Sequence, residues 1–155
     1  MTSDYKLYQG AVFTELLDSV DEQLSIRAIR EEGRLGAYIV SDRVGLYIKH
    51  SAVRMSPWQF TFSKANALAL MELRRRTPKV FIVFVCWLDG MMCASLDELT
   101  EILGAGVSEQ AWVRIQRRKN EWYSVSGAAG DMQYKKPQGL GAIIEALARA
   151  QTADT

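Results

Sequence analysis

A run of seven consecutive apolar residues, 80–86, constrains the fold of this 155-residue chain more than any other feature. A strand that is apolar at every position needs cover on both faces, as the central strand of an α/β sheet has. Asp89-Gly90 then gives a strong hairpin signal that leads to a further strand at residues 91–94. We therefore expect an α/β protein in which the apolar run lies at the centre of the sheet, with Ile82 and Phe84 both buried.

The segments before this run alternate between helical and extended patterns. Apolar residues at three- and four-residue spacing between Tyr8 and Val20 predict an amphipathic first helix. Period-two patterns predict a three-strand meander at residues 24–28, 37–41 and 45–50, with a turn at 31–34. Ser63 is a suitable N-cap for a helix over residues 64–76. The predicted order is thus helix, three-strand meander, helix and central strand.

Trp58, Phe60 and Phe62 alternate along an edge strand or extended loop between the meander and the second helix. The same alternation places all three rings on one face, which favours a role in the core over base stacking.

The C-terminal third of the chain has a different pattern. Ser95 and Glu98 form a capping box that predicts a helix beginning near Leu96, and Gly104-Ala105-Gly106 suggests a boundary after it. Beyond the boundary we expect a separate hairpin, residues 112–118 and 121–126, and a final amphipathic helix. The predicted organisation is a core over residues 6–103 and a C-terminal hairpin and helix over 104–155, packed together as one domain.

Composition narrows the function classes. Nineteen basic and eighteen acidic side chains leave a net charge of +1, so attraction to nucleic acid requires a local basic patch. The chain has neither the ~18–20 residue apolar run of a membrane span nor an apolar signal core at its N-terminus, so we expect a cytoplasmic protein without membrane contact. Cys86 and Cys93 lie in apolar stretches, which indicates buried thiols and no zinc site.

The predicted order of elements over residues 8–95 resembles the core of the restriction-endonuclease-like (PD-(D/E)XK) superfamily, including archaeal Holliday-junction resolvases. Residues 45–51, Gly-Leu-Tyr-Ile-Lys-His-Ser, are similar to the strand on which those nucleases carry an acid, an apolar residue and a lysine that serine often follows. Lys49 and Ser51 match that pattern, whereas Tyr47 stands where an acid is expected. Glu15 resembles the helix-borne glutamate of some members.

The resemblance implies metal-dependent cleavage only if the remaining acids assemble. That chemistry uses carboxylates that hold a divalent cation and a lysine that assists. An active nuclease would therefore recruit Glu15, Asp42 and Lys49 around Mg²⁺. Across the predicted hairpin, however, Tyr38 and not an acid would lie near Lys49. We expect a degenerate active site without a cofactor, and an active metal-dependent nuclease is the alternative.

The predicted C-terminal hairpin interleaves basic and aromatic residues, a pattern that suits contacts with phosphates and bases. The candidate nucleic-acid-binding residues are Arg114, Arg117, Arg118 and Lys119 in the hairpin and, farther along the chain, Lys135 and Lys136. A solvated hairpin with a packed tryptophan explains the same pattern equally well. The sequence therefore predicts a non-catalytic nuclease-fold protein that binds nucleic acid or a nucleic-acid-processing partner. A further alternative is a protein-interaction subunit, such as one that forms a homo-oligomer.

Overall fold

The computed structural model describes residues 3–30, 36–104 and 111–153. Within these ranges no helix is long and apolar enough to cross a membrane. The elements follow one another as α1 (Asp4–Ser19), β1 (Ile26–Ala28), β2 (Ala37–Val40), β3 (Val44–Ser51), β4 (Trp58–Phe62), α2 (Lys64–Arg76), β5 (Lys79–Cys86), β6 (Gly90–Ser95), α3 (Leu96–Leu103), β7 (Ala111–Gln116), β8 (Ser124–Gly127), β9 (Gly130–Asp131) and α4 (Gly141–Ala153). The chain is an α/β protein with mixed sheets.

Five strands form the first sheet, in the order β1-β2-β3-β5-β6. β1, β2 and β3 pair antiparallel as a meander, β5 lies parallel to β3, and β6 returns antiparallel to β5. The parallel pair requires a crossover, which β4 and α2 supply. The predicted helix, meander, helix and buried interior strand are therefore all present, although β3 and not β5 is the middle strand of the sheet.

β5 is buried on both faces, as its uninterrupted apolar sequence predicts. Ile82 and Phe84 are fully buried in a cluster shared with α2, α3 and the second sheet. Phe81 and Val83 belong to a separate cluster on the other face, which α1 and α4 cover. The prediction that Ile82 and Phe84 lie in the core is confirmed.

The second sheet has the order β4-β7-β8-β9. β4 pairs antiparallel with β7, from Trp58 opposite Ile115 to Phe62 opposite Ala111. The expectation of a separate C-terminal hairpin is therefore wrong, because a strand from the first two thirds of the chain completes its sheet. The boundary expected at residue 104 lies between β4 and β7, two strands of the same sheet.

Aromatic side chains join the two sheets. Trp58, Phe60 and Phe62 are buried on the inner face of β4. The Phe84 ring contacts Phe60 and Phe62 edge to face, at centroid distances of 4.9 and 6.3 Å. The centres of the Trp58 and Tyr123 rings lie 6.3 Å apart, and Tyr123 is buried in the C-terminal segment. One continuous hydrophobic core thus spans both sheets.

Local capping sets two helix starts as predicted. The Ser63 hydroxyl accepts a hydrogen bond from the backbone N–H of Asn66 at the start of α2. Ser95 and Glu98 form the expected capping box at the start of α3. The first helix differs from its expected apolar stripe, because Leu17 is exposed while Gln9 is buried. The predicted turn at 31–34 and the glycine boundary at 105–106 lie outside the described residues.

Candidate nucleic-acid interface

Lys49 lies on the face of β3 that contacts α2 and β4. Its ammonium group donates to the Thr61 carbonyl at 2.6 Å and to Asn66 Oδ1 at 3.0 Å, and it lies 5.1 Å from the centre of the Phe62 ring. Burial lowers the pKa of this lysine. Lys49 therefore connects β3 to β4 and to the beginning of α2.

The two acids expected to accompany Lys49 lie elsewhere. Asp42 is exposed in the turn before β3 and pairs with Arg27 at 2.7 Å. Lys49 is five residues beyond Val44, the first residue of β3, and so about 16 Å further along the strand at ~3.3 Å per residue. The structure therefore separates Asp42 from Lys49 along the strand.

Glu15 is separated from Lys49 by the sheet itself. It lies on the exposed side of α1, and this helix packs on the sheet face opposite the one that carries Lys49. Glu15, Asp42 and Lys49 therefore do not form the site that an active nuclease was expected to have. Within the described ranges, no three His, Cys, Asp or Glu side chains are grouped so that they could hold a metal ion.

The expected pairing of β2 with β3 also needs correction. Tyr38 lies opposite Leu46, three residues before the expected Lys49, and Tyr47 lies opposite Ala37. The Tyr38 hydroxyl donates to Gln9 on the α1 face. The two tyrosines thus lie on opposite faces of the sheet.

Tyr47 belongs to the polar contacts around Lys49. Asn66 Nδ2 donates to the Tyr47 hydroxyl at 2.5 Å. Burial raises the pKa of Tyr47 to about 12, although the bond from Asn66 acts in the opposite direction. Asn66 was not among the residues predicted for this site, although its position three residues after a serine cap was an available signal.

Arg117, one of the predicted phosphate contacts, is directed inward. Its Nε donates to Asp89 Oδ2 at 2.8 Å, and Nη2 donates to the Asp89 carbonyl at 2.8 Å and to Gln138 Oε1 at 3.0 Å. The guanidinium lies 4.2 Å from the centre of the Tyr123 ring, whose hydroxyl donates to the same carboxylate oxygen. With a side chain only 10% exposed, Arg117 connects the β5–β6 turn to the C-terminal segment, and its guanidinium group is already engaged by Asp89 and Gln138.

Lys136 is also engaged within the protein. Its ammonium group pairs with Glu98, and its side chain is 20% exposed. Desolvation favours the neutral form of Glu98, but the bonds from Lys136 and Ser95 outweigh it and lower the pKa of the carboxyl group. Lys136 therefore attaches the C-terminal segment to the start of α3.

The other four predicted cations are accessible. Arg114, Arg118 and Lys119 are exposed, and their side chains make no hydrogen bond or ion pair with the part of the chain that the structure describes. Lys135 forms an ion pair with Glu121 at 3.7 Å, in which both side chains are about half exposed. Of the six candidates, these four remain available for an external anion.

Arg114 lies on the outer face of the second sheet. Strand alternation directs apolar residues of β4, β7 and β8 inward and their neighbours outward. In register, Arg114 has Gln59 on one side and Ser126 on the other. We call this surface the open face; its strand residues are Gln59, Thr61, Trp112, Arg114, Gln116, Ser124 and Ser126.

Two adjoining grooves, of about 380 and 310 Å³, run along the open face and share Gln116 and Ser124. The larger groove extends to Tyr134 and Lys135, and the smaller one extends to Arg118. Amide and hydroxyl groups thus line the middle of the surface, and each groove has a cation and a carboxylate: Lys135 and Asp131 in the larger one, Arg118 and Glu121 in the smaller one.

Comparisons with known proteins identify no relative. No protein-family model matches the chain, and neither the curated proteins nor the solved structures gave a significant match.

A second surface of different character lies at the beginning of α1. Leu7 and Leu88 are 60% and 78% exposed, and together with Trp87 and Met91 they line an apolar groove of about 410 Å³. An exposed apolar groove of this kind is typical of a contact between proteins.

Proposed function

We propose that this chain is a non-catalytic protein of the restriction-endonuclease-like type that binds nucleic acid through the open face of its second sheet. The observation that carries the proposal is the set of accessible cations on the open face and next to it: Arg114 on β7, Arg118 and Lys135 along the grooves, and Lys119 in the turn after β7. In a protein of net charge +1, such a local concentration is the main source of attraction for phosphates.

The fold assignment within this proposal rests on the order of elements. A helix, an antiparallel three-strand meander, a helix and a strand parallel to the third strand follow one another, as the resemblance implies. The separation of Glu15, Asp42 and Lys49 supports the non-catalytic part, because the chemistry requires its carboxylates and lysine around one metal ion.

Binding at several salt concentrations tests the proposed interface. Each phosphate contact contributes a slope of about −0.7 for single strands and about −0.9 for duplex DNA to the plot of log affinity against log salt. The double variant Arg114→Ala/Arg118→Ala should therefore flatten the slope by about 1.4 to 1.8. The assay is a titration of labelled single- and double-stranded oligonucleotides, followed by fluorescence anisotropy.

The matched control is Lys6→Ala/Arg74→Ala, which removes the same charge from residues outside the open face. Lys6 lies on α1, and Arg74 forms an exposed 3.6 Å pair with Asp97. The control should keep the wild-type slope. Absence of binding at low salt, or equal slopes for the two double variants, would refute the proposed interface.

The apolar groove at Leu7 and Leu88 favours a second candidate function, that of a self-associating interaction subunit. Burial of this groove against a second copy would produce a dimer on a calibrated size-exclusion column. Leu88→Lys should then shift the dimer to a monomer, whereas a monomeric wild-type protein would eliminate this candidate.

A further inference from the structure

The width of the open face restricts the nucleic acid that it can read. Four strands spaced ~4.8 Å apart place the outer strands about 14 Å from each other before side chains are added. The major groove of B-DNA is about 12 Å wide and admits a helix or a two-stranded ribbon. The β7–β8 hairpin cannot enter it alone, because β4 and β9 flank the hairpin on either side. A duplex would therefore meet this face only through its backbone.

Two aromatic rings are exposed beside the face. Trp122 is 58% exposed and Tyr134 is 75% exposed. Trp122 lies two residues before Ser124, the first residue of β8, and therefore next to the end of the open face. Tyr134 lines the larger groove together with Ser124.

These rings differ from the aromatic residues of the core. Trp58, for comparison, is buried and donates its indole N–H to the Val53 carbonyl at 2.8 Å. Trp122 and Tyr134 leave a large part of their surface in solvent. An unpaired base offers a free π-face to such a ring, whereas the bases of a duplex are already stacked on one another.

We propose that the ligand of the open face is single-stranded nucleic acid, with bases stacked on Trp122 and Tyr134 and with phosphates at Arg114, Arg118 and Lys135. This inference rests on the proposed function and specifies its substrate. The amide and hydroxyl groups of Gln116, Ser124 and Ser126, which lie between the rings and cations, can accept or donate to base edges and sugars.

Glu121 limits the positive charge of this surface. Its carboxylate pairs with Lys135 at 3.7 Å and lines the smaller groove. A phosphate at Lys135 must compete with this carboxylate. Glu121→Gln should therefore strengthen binding by up to about fivefold, the range expected from an exposed ion pair.

The test compares one labelled sequence of about 12 nucleotides, within the usual site sizes for single strands, in three forms: single-stranded DNA, single-stranded RNA and duplex DNA. We expect both single strands to bind at least about tenfold more tightly than the duplex at low salt. The relative affinities of the two single strands show whether the surface prefers DNA or RNA.

Stacking is tested with Trp122→Ala and Tyr134→Ala. Each should weaken single-strand binding by about five- to a hundredfold, the effect of losing one stacked base, and leave duplex binding unchanged. Trp122→Phe should retain most of the affinity, because a ring remains. The matched control is Met71→Ala, which removes an exposed apolar side chain of α2, outside the open face, and should have no effect on binding.

The outcomes separate this inference from the proposed function. Equal affinity for duplex and single strands, or stacking variants that bind like the wild type, would refute the single-strand inference and leave the basic open face as a nucleic-acid-binding surface. Absence of binding to all three forms would refute the proposed function itself.

Discussion

Phe84 connects the two sheets, and its truncation tests whether they unfold as one unit. The side chain is fully buried in β5, and its ring contacts Phe60 and Phe62 on β4. Phe→Ala substitutions in cores cost about 3–5 kcal/mol through lost transfer free energy and the cavity that remains. β5 is paired on both sides, opposite Lys49 and Met92 at this position, so the backbone has little freedom to close the cavity.

We therefore expect Phe84→Ala to lower the free energy of unfolding by about 4–5 kcal/mol, near the top of that range. This is a large part of the ~5–15 kcal/mol that a domain usually has. Phe84→Leu, which keeps most of the volume, should cost much less.

Urea denaturation followed by two signals measures this loss. Far-UV circular dichroism reports both sheets. Tryptophan fluorescence reports mainly the second sheet through Trp58 and Trp112, because Trp87 is the one tryptophan of the described ranges next to a strand of the first sheet. The two transitions should coincide in the wild type and in the variant if one core spans both sheets. A loss below about 1 kcal/mol, or separate transitions, would refute the continuous core.

Three further predictions concern the polar residues of the fold. Arg117→Ala should lower the free energy of unfolding, measured by urea denaturation, by about 2–3 kcal/mol, because it leaves the Asp89 carboxylate without its cation. Arg114→Ala, at an exposed position, should lower it by less than about 0.5 kcal/mol. Equal losses for the two variants would contradict the structural role of Arg117. The pKa of Tyr47, raised by burial to about 12, exceeds the ordinary value of 10, so its contribution to stability is complete below pH 10 and is lost as the pH rises toward 12. Tyr47→Phe should lower stability at neutral pH but flatten the decline of the urea midpoint above pH 10, and an unchanged decline would show that Tyr47 does not titrate this way. Finally, purified protein should not cleave duplex, branched or single-stranded nucleic acid with Mg²⁺ or Mn²⁺, and cleavage that disappears in Lys49→Ala would contradict the degenerate-site proposal.

The distinction between bound and accessible cations could be predicted only in part. Val113 and Ile115 are buried on β7, and period-two alternation from them directs Arg117 inward and Arg114 outward. That signal was present in the sequence. The partner of Arg117 was not predictable, because Asp89 lies 28 residues away in a turn of the other sheet.

The prediction that Glu15, Asp42 and Lys49 lie together in an active nuclease was wrong for a related reason. Asp42 and Lys49 are close in sequence, but an extended strand carries neighbours in sequence far apart in space. The position of Glu15 relative to Lys49 depends on which face of the sheet α1 covers. Hydrophobic spacing predicts that a helix packs on a sheet, but it does not state on which face.

The sequence by itself determined the elements that depend on neighbours along the chain. Ser63 starts α2 at Lys64 through a local cap, and the apolar residues of β5 can form only a strand covered on both sides. Tertiary structure alone decided that β4 belongs to the second sheet, where it pairs with β7, about 50 residues later in the chain. Backbone hydrogen bonds are alike for any pair of strands, so the choice of partner depends on which arrangement buries Trp58, Phe60 and Phe62 against Phe84 and Tyr123, and that burial is a property of the whole core.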